Sequence, residues 1–365
     1  MENLEIWEGD PYLKPFKPVI WRRHQMRLAK ADVIRGTHAA MSLAVNNHLY
    51  YGVHKTPAGW VCREWAPNAS AIYLTGECNG WKKDPAYEFR PAGPGDWELE
   101  LPPDTLRHGQ LFKWIIDWPG GSGERLPAYA RRCVQDPVTK IFSAQVWDPP
   151  VPYSWKHNNP PRVTNPLIYE AHIGMSGEEP GIAGFDSFRR KVLPRIVKLG
   201  YNTIQLMAIQ EHPYYGSFGY QVSNFFAVSS RFGTPEELKQ LIDQAHAHGI
   251  AVILDLVHSH AVKNEIEGLS RYDGTYDLYF HSGPRGEHTL WSSRCFDYGK
   301  DSVLYFLLSN IKYWIEEFRL DGFRFDGVTS MMYFDHGLGR DFTEYGHYFD
   351  GNQDEDAITY LGLAN

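Results

Sequence analysis

Cysteine is scarce in this sequence: Cys62, Cys78, Cys133 and Cys295 are the only four in 365 residues, and no two stand in CxxC spacing. Such sparse, irregular thiols argue against a disulfide framework or a zinc site, and for free cysteines in a reducing cytoplasm. No apolar run approaches the ~18 residues that a membrane-spanning helix needs. The opening MENLEIWEGDPYLKPF has no basic stretch followed by an apolar one, so no secretory signal is expected. Positive charge is short as well: 36 Lys+Arg against 44 Asp+Glu give a formal net charge of −8. An acidic surface repels phosphate backbones and anionic lipid, so neither nucleic acid nor membrane is expected as a partner.

Aromatic residues, in contrast, are plentiful: 12 Trp, 22 Tyr and 19 Phe. Most belong in cores, and some suit stacking on the C–H faces of sugar rings. At ~100–200 residues per domain, the length predicts two or three domains. Residues 1–47 read as an N-terminal helical segment, its helix carried by VIWRRHQMRLAKADVI. Residues 48–148 read as a β-sandwich: short runs such as GWVCREWAP, SAIYLTGE and QLFKWIIDW alternate with Gly-, Pro- and Asn-rich turns. Residues 149–164 form a Pro-rich linker, stiffened by Pro149, Pro150, Pro152, Pro160 and Pro161.

From 165 to 365 strands and helices alternate. LIYEAHIGM, YNTIQLMAIQ, IAVILDLVHSH and GFRFDGVTSM are the strands. Helices follow Asp186, span TPEELKQLIDQAHAHG, run from about Ser302 to Phe318, and begin in DEDAITYLGLAN. The second carries its own signals: Thr234 as cap, Pro235 at the first helical position, Glu237 completing a capping box, and Gly249 as terminator. Continuous apolar strand cores predict a parallel sheet covered on both faces. Four βα repeats fit an open doubly wound sheet or half of a (β/α)8 barrel. No glycine-rich phosphate loop follows the first strand, which weakens the open-sheet reading.

Three polar clusters interrupt these apolar runs. In GFRFDGV alternate side chains share a face, so Arg324 and Asp326 point together while Phe323 and Phe325 face the helices. An arginine favours the ionised form of a neighbouring carboxylate. A buried carboxylate at the C-terminal end of a barrel strand is placed to be a nucleophile, and the same pair could equally be an ion pair closing the barrel mouth. In DLVHSH, Asp255, His258 and His260 end the third strand, where polar residues read as site residues. Asp255 could instead cap a turn and the histidines be satisfied at the surface. A His-x-His metal pair lacks supporting ligands nearby. In YYGSFGYQ, Tyr214, Tyr215, Phe218 and Tyr220 cap the barrel or present rings to a ligand.

In that order and separation, ILDLVHSH and GFRFDGV resemble the first two conserved regions of the α-amylase superfamily. EHPYYGSFGYQVSNFFAVSSRFGTPEEL, DLVHSHAVKNEIEGLSRYDGT, YFHSGPRGEHTLW and FRFDGVTSMMYFDHG resemble glycogen- and starch-branching enzymes. CREWAPNASAIYLTGECNGW resembles the glucan-binding sandwich domain that precedes their barrel. The resemblance implies a β-sandwich followed by the first half of a (β/α)8 TIM barrel, truncated after the fourth βα unit. The implied activity is retaining cleavage of an α-1,4-glucan and transfer to a 6-hydroxyl, with no cofactor, and with an α-glucan polysaccharide as partner.

Residue by residue, the resemblance implies that Asp326 is the nucleophile and Arg324 its support. His260 would hydrogen-bond the sugar being cleaved, Asp255 would hold the arginine, and Tyr220, followed by Gln221 in the same substrate-binding loop, would stack under that sugar. Ser259 departs from the asparagine that is a calcium ligand in many amylases, so no metal is expected. The family's acid/base glutamate lies on a fifth strand that this chain does not reach, so the isolated chain is expected to be an inactive N-terminal fragment. Of Trp65, Trp81, Trp97, Trp114 and Trp118, Trp81 is the best candidate for a surface glucan contact. Glu170 and His172 read as supporting residues, and Glu316 and Glu317 as solvated. Two rival readings remain: a glucan hydrolase or debranching enzyme on the same scaffold, and a non-catalytic glucan-binding protein.

Overall fold

The computed structural model describes residues 6–365; the first five residues of the leading segment lie outside it. That segment holds α1 (Ile6–Gly9), α2 (Lys17–Arg35), α3 (Met41–Ala44) and α4 (Asn47–Tyr50). α2 contains the whole periodic stretch expected to be helical, Val19 to Ile34. Gly36, at φ +54°, ends α2 in a conformation that favours glycine. Only Ile34 of α2 is buried. The helix lies against the last helix of the chain, where Arg22 and Arg23 both reach Glu355 at 2.9 Å.

The sandwich strands are β1 (Gly52–Thr56), β2 (Gly59–Trp65), β3 (Ala71–Gly76), β4 (Arg90–Pro91), β5 (Asp96–Leu101), β6 (Leu111–Trp118), β7 (Gly121–Arg125), β8 (Cys133–Gln135) and β9 (Phe142–Gln145). They pair antiparallel into one sheet of order β1-β2-β5-β4 and a second of order β3-β6-β9-β8, with β7 beside β6. Period-two alternation on β6 buries Phe112, Trp114 and Ile116 among Trp60, Cys62, Ile72 and Leu74. All four cysteines are free.

The proline-rich connection is strapped down. The Asp243 carboxylate accepts the Tyr153 hydroxyl at 2.7 Å and the backbone N–H groups of Lys156 and His157 at 3.1 and 2.9 Å.

Beyond it, β10 (Ile168–Ala171) leads to α5 (Phe185–Ser187), which continues through a π-turn into α6 (Leu193–Leu199). β11 (Thr203–Leu206) is followed by β12 (Gln210–Glu211), β13 (Asn224–Val228) and α7 (Pro235–Ala247). β14 (Ala251–Leu256) is followed by β15 (Ala261–Val262), β16 (Glu287–His288), β17 (Ser293–Arg294) and α8 (Asp301–Phe318). β18 (Gly322–Phe325) leads to α9 (Val328–Met332) and α10 (Glu355–Ala364).

β10, β11, β14 and β18 pair in parallel in their chain order. A doubly wound sheet would reverse direction at a switch point; uninterrupted sequential order is how barrel strands are laid down. β12–β13 and β15–β17 are small antiparallel sheets within the loops after β11 and β14, and neither was expected from the sequence. Helix α7 has the anticipated capping box: Thr234 Oγ1 accepts from Glu237 N at 3.2 Å, and Glu237 Oε2 accepts from Thr234 N at 2.7 Å. Among the described residues, β10 and β18 are paired on one side only. No described helix is long and apolar enough to cross a membrane.

Candidate active site

Parallel register brings the polar strand ends together. Asp255 of β14 lies opposite Arg324 of β18. Arg324 Nη1 donates to Asp326 Oδ1 at 2.6 Å and stands 3.5 Å from Asp255 Oδ2. One guanidinium therefore bridges two carboxylates. Asp255 is fully buried and well held: it accepts the Tyr220 hydroxyl at 2.7 Å and Gln205 Nε2 at 3.1 Å. Burial nevertheless raises its carboxyl above the usual range, against the pull of Tyr220 and Arg324.

Asp326 differs from the expectation in one respect. Its side chain is 22% exposed rather than buried, because β18 has no neighbour on its far side among the described residues. Its backbone N–H is tied to Leu256 O at 3.0 Å, which fixes the residue at the end of the strand. The next residue is Gly327, at φ +65°, where a Cβ would come within 2.5 Å of Ser259 Oγ. A side chain there would push the β18 end off the β14 end.

His260 lies beside this group, 3% exposed. Its Nε2 meets Tyr220 O at 2.8 Å and its Nδ1 meets Ser259 Oγ at 2.9 Å. A sugar hydroxyl would reach either nitrogen only by displacing one of these partners. Gln221 donates to Trp291 O at 2.9 Å, while its Oε1 is buried with no partner. Trp81 is 43% exposed, at φ +62°, on the turn after Gly80. Of the other sandwich tryptophans Trp114 and Trp118 are buried, and Trp65 and Trp97 half-buried. Glu170 accepts from Gln205, and His172 Nδ1 from Met175 N. Glu316 is exposed and Glu317 partly so, as expected of solvated carboxylates, with Lys312 3.7 Å from Glu316 and Lys239 beside Glu317.

One support escaped the sequence reading, and a second was named there without its role. Gln205 joins Glu170 to Asp255, and a lone polar residue in the apolar run TIQLMA was the available signal. His258 is wholly buried, with Tyr360 OH at 2.5 Å on Nδ1 and Asn310 Oδ1 at 3.0 Å on Nε2. It ties β14 to α8 and α10, a contact no local pattern announces.

Residues 190–294 match the α-amylase catalytic domain, and residues 50–137 match carbohydrate-binding module 48, the isoamylase N-terminal domain. Solved structures with the same fold include a putative α-amylase from Salmonella typhimurium (TM-score 0.59, 24% identity, 75% of this chain and 43% of that one). Another is the catalytic module of the pneumococcal virulence factor SpuA (TM-score 0.63, 20% identity, 77% and 46%). Sandwich and parallel sheet thus resemble those of the α-amylase superfamily.

The sequence is 47% identical, over 99% of its length, to the 1,4-alpha-glucan-branching enzyme of Equus caballus. It is 44% identical over its whole length to that of Dictyostelium discoideum, and 46% to the chloroplastic/amyloplastic enzyme 2-2 of Arabidopsis thaliana. Over its whole length it is thus similar to 1,4-α-glucan-branching enzymes. The chain spans about half the length of these relatives: 52%, 54% and 46%.

Proposed function

We propose that this chain carries the nucleophile side of a 1,4-α-glucan branching centre, built on the first four strands of a (β/α)8 barrel. The observation that carries the proposal is Asp326, at the C-terminal end of β18, with one oxygen held by Arg324 at 2.6 Å and the other taking no donor among the described residues. A pinned carboxylate with one uncommitted oxygen suits attack on an anomeric carbon. In the first half-reaction Asp326 forms a bond to C1 of a glucosyl unit while the C1–O4 bond breaks. A protonated carboxyl group gives its proton to the departing O4. In the second, the 6-hydroxyl of another glucosyl unit attacks C1, its proton returns to that group, and Asp326 is released.

Retaining chemistry of this kind places the two carboxyls ~5–5.5 Å apart. Asp255 does not suit the acid role, because it is fully buried and engaged by Tyr220, Gln205 and Arg324. The acid/base group is therefore assigned to sequence beyond the described strands. Tyr220 and His260 frame the sugar, and the exposed Trp81 supports glucan contact by the sandwich. The four free cysteines support residence in a reducing cytoplasm.

The test is Asp326→Asn in the complete gene product. Iodine-stain shift of amylose should fall at least ~10⁴-fold, as expected when a nucleophile is removed, with the thermal midpoint little changed. Near-normal branching by this variant would overturn the assignment. Release of reducing ends in step with the stain shift would favour a hydrolase instead.

A further inference from the structure

An aromatic column stands beside Asp326. In the connection between β16 and β17, the indole of Trp291 lies parallel to the imidazole of His288, with centroids 4.0 Å apart and planes 6° apart. His288 packs in turn on His336, at 4.2 Å. His288 is 1% exposed and Trp291 39%. The column is thus anchored in the interior at its middle ring, His288, and open at Trp291.

The open end is fixed in place. Gln221 holds Trp291 O at 2.9 Å, and Trp291 N donates to His288 Nδ1 at 3.2 Å. The indole also borders His260, with ring centroids 5.0 Å apart. Its Cη2 would lie 3.4 Å from a Cβ on Gly327, the residue after Asp326. A tryptophan immobilised by stacking and two backbone hydrogen bonds loses little entropy when a ligand settles on it. Burial, with His336 and His260 nearby, pushes His288 down to about 4, so the backing ring is neutral at pH 7. An uncharged, rigid, part-open aromatic surface suits a neutral ring with C–H faces rather than an anion.

We propose that Trp291 is a stacking platform for the glucosyl unit adjacent to the one that meets Asp326, and that it sets affinity for the α-glucan chain. The proposal rests on the α-glucan reading of the Asp326 site. It makes Gln221 a positioning residue, acting through Trp291.

The test compares the complete gene product with its Trp291→Ala and Trp291→Phe variants. Maltoheptaose binding is measured by calorimetry, kcat and KM with amylose, and folding by thermal midpoint. Trp291→Ala should weaken maltoheptaose binding about tenfold, which is ~1.4 kcal/mol, and raise KM similarly with kcat changed less than about threefold. Trp291→Phe should bind within about threefold of wild type, because a flat ring remains. If wild type binds and Trp291→Ala binds equally well, the platform is wrong and the glucan reading stands. If Trp291→Phe is as weak as Trp291→Ala, stacking is not the cause and the proposal falls. If wild type itself does not bind maltoheptaose, both readings fall.

Discussion

Tyr220 gives its hydroxyl to Asp255 at 2.7 Å, inside a site where that carboxylate is fully buried. Burial raises the Asp255 carboxyl, and the tyrosine hydrogen bond is the first of the contacts that oppose the rise. A carboxyl raised in the folded state adds stability at low pH and loses it as pH climbs past its unfolded value. Removing the donor deepens that loss. Tyr220→Phe should therefore cost ~1–3 kcal/mol near pH 7, and less near pH ~4, where the unfolded carboxyl is itself partly protonated. Urea unfolding at the two pH values measures this, and an equal penalty at both would show that Asp255 is not the group involved. At this scale the sequence announced Asp326, Arg324 and Asp255 because strand periodicity and strand ends are local features. It did not announce how open Asp326 is, which depends on which strand lies beside β18.

Helix α7 shows how far local signals reach. Thr234, Pro235 and Glu237 form the expected capping box, and the helix ends at Ala247 with Gly249 at φ +71° just beyond. Thr234→Ala should cost ~1 kcal/mol, read as a lower urea midpoint at unchanged slope; a changed slope would mean that more than the cap was lost. The four parallel strands were equally legible, since each is an apolar run between turn signals. β13 was not: Asn224–Val228 is buried throughout, and its run NFFAV merges into the aromatic loop before it. Its strand state comes from pairing with β12, a contact between segments that periodicity cannot relate. The leading helix was legible too: its periodic stretch ends at Ile34, and α2 runs to Arg35, where Gly36 ends it.

For the whole molecule, the junction of sandwich and barrel centres on one buried carboxylate. Glu64 of β2 accepts Trp65 N, Trp114 Nε1, Ala128 N and the Tyr272 hydroxyl. Burial raises it to about 6 despite those four donors. The linked stability is present below about 4.5 and is lost as pH rises through about 6. A rise of this size is worth ~2 kcal/mol, so the stability gap between wild type and Glu64→Gln should shift by that amount between pH ~4 and ~7; a gap constant with pH would exclude Glu64 as the source.

The parallel sheet carries a second consequence at this scale. Retaining transfer needs a proton donor ~5–5.5 Å from Asp326 across the bond. Glu170 sits on β10, three strands from β18, and at ~4.8 Å per strand that is ~14 Å away. Asp255 is near enough but sealed. Among the described residues, β10 and β18 also each present an unpaired edge, with Ile168 of β10 40% exposed, which favours association between copies. Residues 1–365 alone should therefore give no iodine-stain shift with amylose and should tend to self-associate in light scattering. The complete gene product should branch amylose and lose that activity with Asp326→Asn. An Asp326-dependent stain shift by a monomeric 1–365 would mean that a carboxyl within these residues donates the proton, and the division of the catalytic pair proposed above would be wrong.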